Sequence, residues 1–374
     1  MRGRPAGFQF PMNSLSPDSS RAPRLQGLQS LRFLAAFIVM GAHAKLVLRE
    51  DELPRNWDAS MLSCGVDVFF VISGFVIAMS AGRAAGAASF LLDRALRVLP
   101  LYFLLSSIFV AKRIYEGEPI SAALWVNSLL FLPLLDLETY TNPLHPYGWS
   151  IAFEMWFYFL VAAVMLVAAK AWAGLACAAL LAIGVVAVAI GYEAAWLLPR
   201  FLFSPLGLEF AAGCVLFAYR DVVRRRAVLA WPLLPVFGAG VWFTSYLGYP
   251  GEVIGHTFTG LARAFIWGGL ATCVVALFVA AEEKVRWPAW LVGLGTASYS
   301  VYLIQPISVR LAAGLGCGPA ARVAAFVALS VAMGVLTYFC LERPIANAAR
   351  TWRRGRAVAR AATAKGVALQ GSAA

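Results

Sequence analysis

Charge is scarce in this sequence. Only 13% of its 374 residues are Asp, Glu, Lys or Arg, 61% are hydrophobic, and the mean hydropathy is +0.75. A soluble chain of this length needs far more polar surface to cover its core, so a soluble globular class is excluded. Apolar/polar alternation is missing too, which excludes a transmembrane barrel. No C-x-x-C pair, zinc-ligand spacing, glycine-rich phosphate loop or G-x-S-x-G elbow occurs, and no metal is expected. The six cysteines (Cys64, Cys177, Cys214, Cys273, Cys317 and Cys340) are scattered through apolar stretches and read as small buried hydrophobes. Nor is there an internal repeat.

What is present is a series of long apolar runs. They lie near 28–48, 63–81, 98–112, 122–135, 149–169, 172–191, 201–219, 229–247, 264–281, 290–310 and 320–341. Such lengths describe membrane-crossing helices. The net charge of +12 comes from arginines clustered at segment ends and in the tails, so it reads as topology, and nucleic acid is not an expected partner. The positive-inside rule puts Arg21 and Arg24, the Arg83–Arg97 loop, the Arg220/Arg224/Arg225/Arg226 cluster and the C-terminal tail inside. An even number of crossings must then separate Arg97 from Arg220. Five runs lie between, and 122–135 is the weakest, being short and holding Asn127 and Pro133. The expected fold is an all-α polytopic membrane protein with about ten transmembrane helices and both termini cytoplasmic. Residues 1–27 form a disordered cytoplasmic lead, 28–344 the transmembrane domain, and 345–374 a basic cytoplasmic tail touching membrane lipids.

Ionisable residues are costly in a bilayer and mark function by default. The first run, LQSLRFLAAFIVMGAHAKLVL, carries Arg32 and His43 eleven residues apart. Both therefore fall on one helix face, ~16 Å apart along the axis. Counting residues from the expected membrane faces places His43, Glu154 and Asp67 in one outer layer, a possible acid/base site with His43 as general base. The competing reading is a structural hydrogen-bond cluster, and Asp67 could simply cap or pair. Arg94 and Arg97, three residues apart at the inner face, could clamp phosphates bidentately, with Arg32 as a third cation. Alternatively they set topology and touch lipid head groups. His145 and His256 read as ordinary outer-loop surface.

Seven stretches in this order resemble the acyltransferase-3 family of integral-membrane O-acyltransferases. They are LQSLRFLAAFIVMGAHA, GVDVFFVISGF, DRALRVLPLY, GWSIAFEMWFY, LEFAAG, LGTASYSVYLIQP and LERP, spread over about residues 25–344. The branch it is most similar to is associated with exopolysaccharide acetylation. The resemblance implies transfer of an acyl group, usually acetyl from acetyl-CoA, to a hydroxyl of an exported carbohydrate or glycolipid. It implies a catalytic His43 with Arg32 as its motif partner, an essential carboxylate at Glu154, and Arg94 with Arg97 facing CoA. Asp67, Trp149 and Ser150 are supporting candidates; direct transfer is favoured because no Ser or Cys sits in a recognisable activated setting, Ser150 being the best candidate if a covalent intermediate exists. Where the family often has a His, this chain has Gln305, so no general base is assigned there. A stand-alone form is expected, in a bacterial inner membrane, with polysaccharide-export proteins as possible partners. A proton-coupled secondary transporter is the rival class, since intramembrane His, Asp and Glu suit a proton relay equally well.

Overall fold

Backbone polar groups inside a bilayer must find partners within the chain, and a helix satisfies them locally. In the computed structural model, which describes residues 25–52, 60–136, 140–191, 196–247, 258–353 and 355, the described residues form helices and no strands. The expected disordered lead and most of the tail lie outside the described residues, as does His256. The helices in chain order are α1 (Gln26–His43), α2 (Cys64–Arg83), α3 (Ala87–Glu116), α4 (Ala122–Leu130), α5 (Gly148–Val167), α6 (Ala173–Ile190) and α7 (Leu197–Leu202). They continue with α8 (Gly207–Ala218), α9 (Arg220–Arg226), α10 (Leu233–Tyr246), α11 (Phe258–Ala281), α12 (Ala289–Thr296), α13 (Ser298–Ala313) and α14 (Pro319–Thr337).

The protein is an all-α polytopic membrane protein. Eight described helical stretches are long and apolar enough to cross a membrane, and nine if the 220–246 segment, bent by 72°, is one broken span. Residues 122–135 hold only the nine-residue α4, ~14 Å long and too short for a hydrocarbon core of about 30 Å. It stops where Phe131 takes a left-handed φ of 61°, packed at 5.0 Å against the Tyr102 ring. The run expected as a span at 290–310 is instead split into α12 and α13 at Ala297. A Cβ on Gly295 would sit 1.8 Å from the Gln29 carbonyl oxygen, so this break lets α12 press its backbone against α1.

Two more glycines set the centre of the bundle. A Cβ on Gly74 would meet the Phe210 carbonyl oxygen at 2.0 Å, and one on Gly213 the Val71 carbonyl oxygen at the same distance. α2 and α8 therefore cross backbone to backbone, the close approach that small residues allow in membranes. Against this crossing lies an aromatic core in which Phe157 stacks on Phe210 at 4.3 Å and Phe153 on Phe201 at 4.4 Å. Cys177, Cys214 and Cys273 are buried as expected and Cys64 is half-buried, but Cys317, in the turn before α14, and Cys340, in the helical stretch that continues from α14, are exposed; all six are free thiols.

Candidate active site

α1, α2, α3, α5 and α13 enclose a narrow cavity of ≈ 80 Å³. One end of it is cationic. Arg94 and Arg97, one turn apart on α3, meet Arg32 of α1 there. Arg94 Nη2 donates to Ser80 Oγ at 3.2 Å, while its Nε and the nearby Ser298 Oγ are buried with no protein partner. Carboxylates balance the arginines. Glu342, from the LERP stretch, accepts from Ser300 Oγ at 2.5 Å and lies within electrostatic reach of Arg32 and Arg97. Glu154 sits in the middle of the wall, accepting from Tyr158 Oη four residues along the same helix and, at 3.5 Å, from Ser73 Oγ of α2. At the opposite end, Ser150 Oγ bonds Tyr302 Oη at 2.9 Å.

His43 lies just beyond that end, at the last residue of α1. Its ring stacks on Tyr147 with centroids 4.2 Å apart and 10° between planes. Its Nδ1 is 2.7 Å from Gln305 Oε1, across 262 positions of chain. With the amide oxygen facing it, a neutral ring protonated at Nδ1 donates to Gln305 and keeps the Nε2 lone pair for a base.

The expected pairing of His43 with Glu154 is corrected here. His43 is level with Tyr147, seven residues and ~10 Å along α5 from Glu154. Counting from nominal helix ends ignored which turn of α5 packs against α1. Asp67 does not line the cavity either, being engaged elsewhere. Its Oδ2 accepts from Arg263 Nη2 of α11 at 3.0 Å, both groups are buried, and Arg263 lies 4.5 Å over the Trp267 ring. Glu209, from the LEFAAG stretch, adds a second buried carboxylate facing this pair. Trp149 is half-buried with its edge toward Phe70 at 6.4 Å, in the core rather than the cavity wall. His145 is no surface residue. It is fully buried, bonded to the Leu303 carbonyl oxygen at 3.0 Å and accepting from the Tyr147 amide at 3.2 Å, and burial pushes its pKa down to about 4.

Several partners escaped sequence reading. Tyr158 was discoverable, since it is i+4 from Glu154. Gln305 also had a signal, being a lone amide in an apolar run. Arg263 had only its cost in a membrane as a flag, whereas Glu209 also lay within the LEFAAG stretch.

The family model described as an acyltransferase domain matches residues 25–342, most of the chain. The chain belongs to the acyltransferase-3 family. This acyltransferase is 31% identical over 308 residues to the exopolysaccharide production protein ExoZ of Rhizobium meliloti (strain 1021), covering 79% of this chain and 91% of that relative. A second similarity, 42% over 76 residues, is to nodulation protein 10 of Rhizobium leguminosarum bv. viciae, covering 20% of this chain and 21% of that protein. No solved structure matches. An acyltransferase-3 member with this helical architecture is an integral-membrane acyltransferase, and the transporter alternative is set aside.

Proposed function

We propose that this membrane acyltransferase moves an acetyl group from cytoplasmic acetyl-CoA to a hydroxyl of an exported or cell-surface polysaccharide, or of its glycolipid precursor. The observation that carries this reading is the layered line along α1: three arginines at one end of a cavity and a histidine with a fixed ring just past the other. The ExoZ relative, an exopolysaccharide production protein, supports the carbohydrate acceptor. The fitting location is a bacterial cytoplasmic membrane, with the arginine end and both chain termini inside.

Arg94 and Arg97, with Arg32 behind them, receive the CoA phosphates, and the unpartnered Arg94 Nε and Ser298 Oγ supply further donors. The pantetheine arm follows the cavity outward past Glu154, whose carboxylate keeps the arginine end near neutrality. His43 Nε2 takes the acceptor hydroxyl proton as the oxygen attacks the thioester carbonyl carbon. The C–S bond then breaks, the ester forms, and the proton passes from the imidazolium to the leaving thiolate. Gln305 holds the ring in the required tautomer. His43→Ala membranes supplied with labelled acetyl-CoA test the scheme: label should no longer reach polysaccharide, and undiminished acetylation would overturn it.

A further inference from the structure

A second concavity lies away from the acyl-transfer line. At the 72° bend, the segment 220–230 turns across the end of α10, and α11 runs beside both. Beneath the elbow is a groove of ≈ 540 Å³, within the usual ligand-pocket range of about 300–1,000 Å³. Its walls are apolar, with Leu234 from α10 and Val274, Leu277 and Phe278 from α11. Its rim is cationic, carrying Arg224 and Arg225 of α9 and Lys284 just after α11. Arg224 is already engaged, 3.2 Å from Glu283 and 3.9 Å from Asp221. Two aromatic residues, Trp231 and Trp287, flank the rim as indoles do at a membrane–water boundary. Two N–H donors in the wall, Arg224 Nε and Trp287 Nε1, have no protein acceptor.

An apolar slot rimmed by cations and spare donors is complementary to one kind of molecule. We propose that this groove is a binding site for an anionic phospholipid, one acyl chain lying in the slot between α10 and α11 and the phosphate resting against Arg225 and Lys284. The elbow explains the chemistry. Once α10 leans into the bilayer, a 72° bend lays the Arg-bearing α9 along its surface, directly over the slot. Basic pockets between helices at this level recognise acidic head groups. Neither Arg225 nor Lys284 touches the cavity assigned to acyl transfer.

The test uses the full-length protein in nanodiscs of phosphatidylcholine doped with phosphatidylglycerol, followed by delipidation and mass spectrometry of retained lipid. Phosphatidylglycerol should be enriched over phosphatidylcholine. The exposed pair Arg225→Gln and Lys284→Gln should lower that preference about thirtyfold. Leu277→Trp, which fills the slot and leaves the cations in place, should release the lipid as well. Equal retention of both lipids, or an unchanged preference in the charge variants, overturns the proposal. So does displacement by inorganic phosphate alone, which would make the rim a simple anion site.

Discussion

Two sets of charged side chains lie inside the helical bundle, and they are built in opposite ways. Asp67, Glu209 and Arg263 come from three helices and close on one another, and none of them lines the cavity described above. Arg32, Arg94, Arg97 and Glu154 line open space. Burying charge is costly in either place. In the sealed set the cost is offset by a direct 3.0 Å ion pair and a cation–π contact, so its net product is the register of α2 against α11. Both sets keep polar atoms without a protein partner, so the difference between them lies in the void that the second set faces.

The sharpest way to break this contrast is to remove one acid from each set. Asp67→Leu removes the direct partner of Arg263, leaving only Glu209 to face it, and should cost about 3 kcal/mol, read as a lower unfolding temperature in detergent, while turnover per folded molecule holds. Replacing Arg263 by Leu and Glu209 by Gln as well should restore most of the loss. Glu154→Gln should do the reverse, leaving unfolding nearly unchanged and cutting acetyl transfer about 10²–10³-fold. If Asp67→Leu instead abolished turnover without destabilising the fold, the sealed set would belong to the reaction.

His145 gives the next largest effect, and it carries a pH dependence. Its folded pKa of about 4 lies below the usual histidine value of about 6.5, so the unfolded chain takes up the proton first as pH falls. The stability it contributes is fully present above about pH 6.5 and declines toward pH 4, a change of roughly 3 kcal/mol. His145→Gln keeps a donor and an acceptor but cannot titrate. Unfolding curves at pH 7, 5.5 and 4 should converge on a flatter profile for this variant, and an unchanged acid limb would show that His145 takes the proton without cost.

Gln305 probes the outer end of the reaction line. Gln305→Leu should lower kcat about 10–100-fold with KM for acetyl-CoA unchanged, because a misdirected imidazole still permits CoA to bind. Gln305→Glu, which keeps an acceptor at Nδ1, should recover most of the rate. A change confined to KM would remove Gln305 from the chemistry.

What sequence reading could and could not see follows from distance along the chain. The helices were legible because an apolar run is a local signal, and α4 was legible as non-spanning from its length and Pro133. The three arginines of the cavity were legible because Arg94 and Arg97 are one turn apart and Arg32 lies near the start of α1. His43 was visible, yet its partner 262 positions away was not, and neither was the Asp67–Arg263 pair. Depth counted from helix ends carried Glu154 to the wrong turn because packing, not end position, sets which residues meet. The broken span at Ala297 was hidden as well, since it reflects contact between Gly295 and the backbone of α1.

Ser150 is where the smallest effect is expected and where the chemistry can still be sharpened. Its hydroxyl bonds the Tyr147 carbonyl and the Tyr302 phenol, and neither is a base able to raise its nucleophilicity. His43 is turned toward Gln305 and stacked on Tyr147, so its bonded ring nitrogen serves another partner. Direct transfer from thioester to acceptor needs no serine. Ser150→Ala should therefore cost less than about threefold, matching the loss of one neutral hydrogen bond of roughly 0.5 kcal/mol, with Tyr302 keeping its 3.5 Å contact to the Tyr147 carbonyl. Intact-mass measurement after incubation with acetyl-CoA and no acceptor should find the chain unmodified. An acetyl adduct on Ser150, together with a loss of several hundredfold in the alanine variant, would replace direct transfer by a two-step route and move the reacting layer from His43 to the upper end of the cavity.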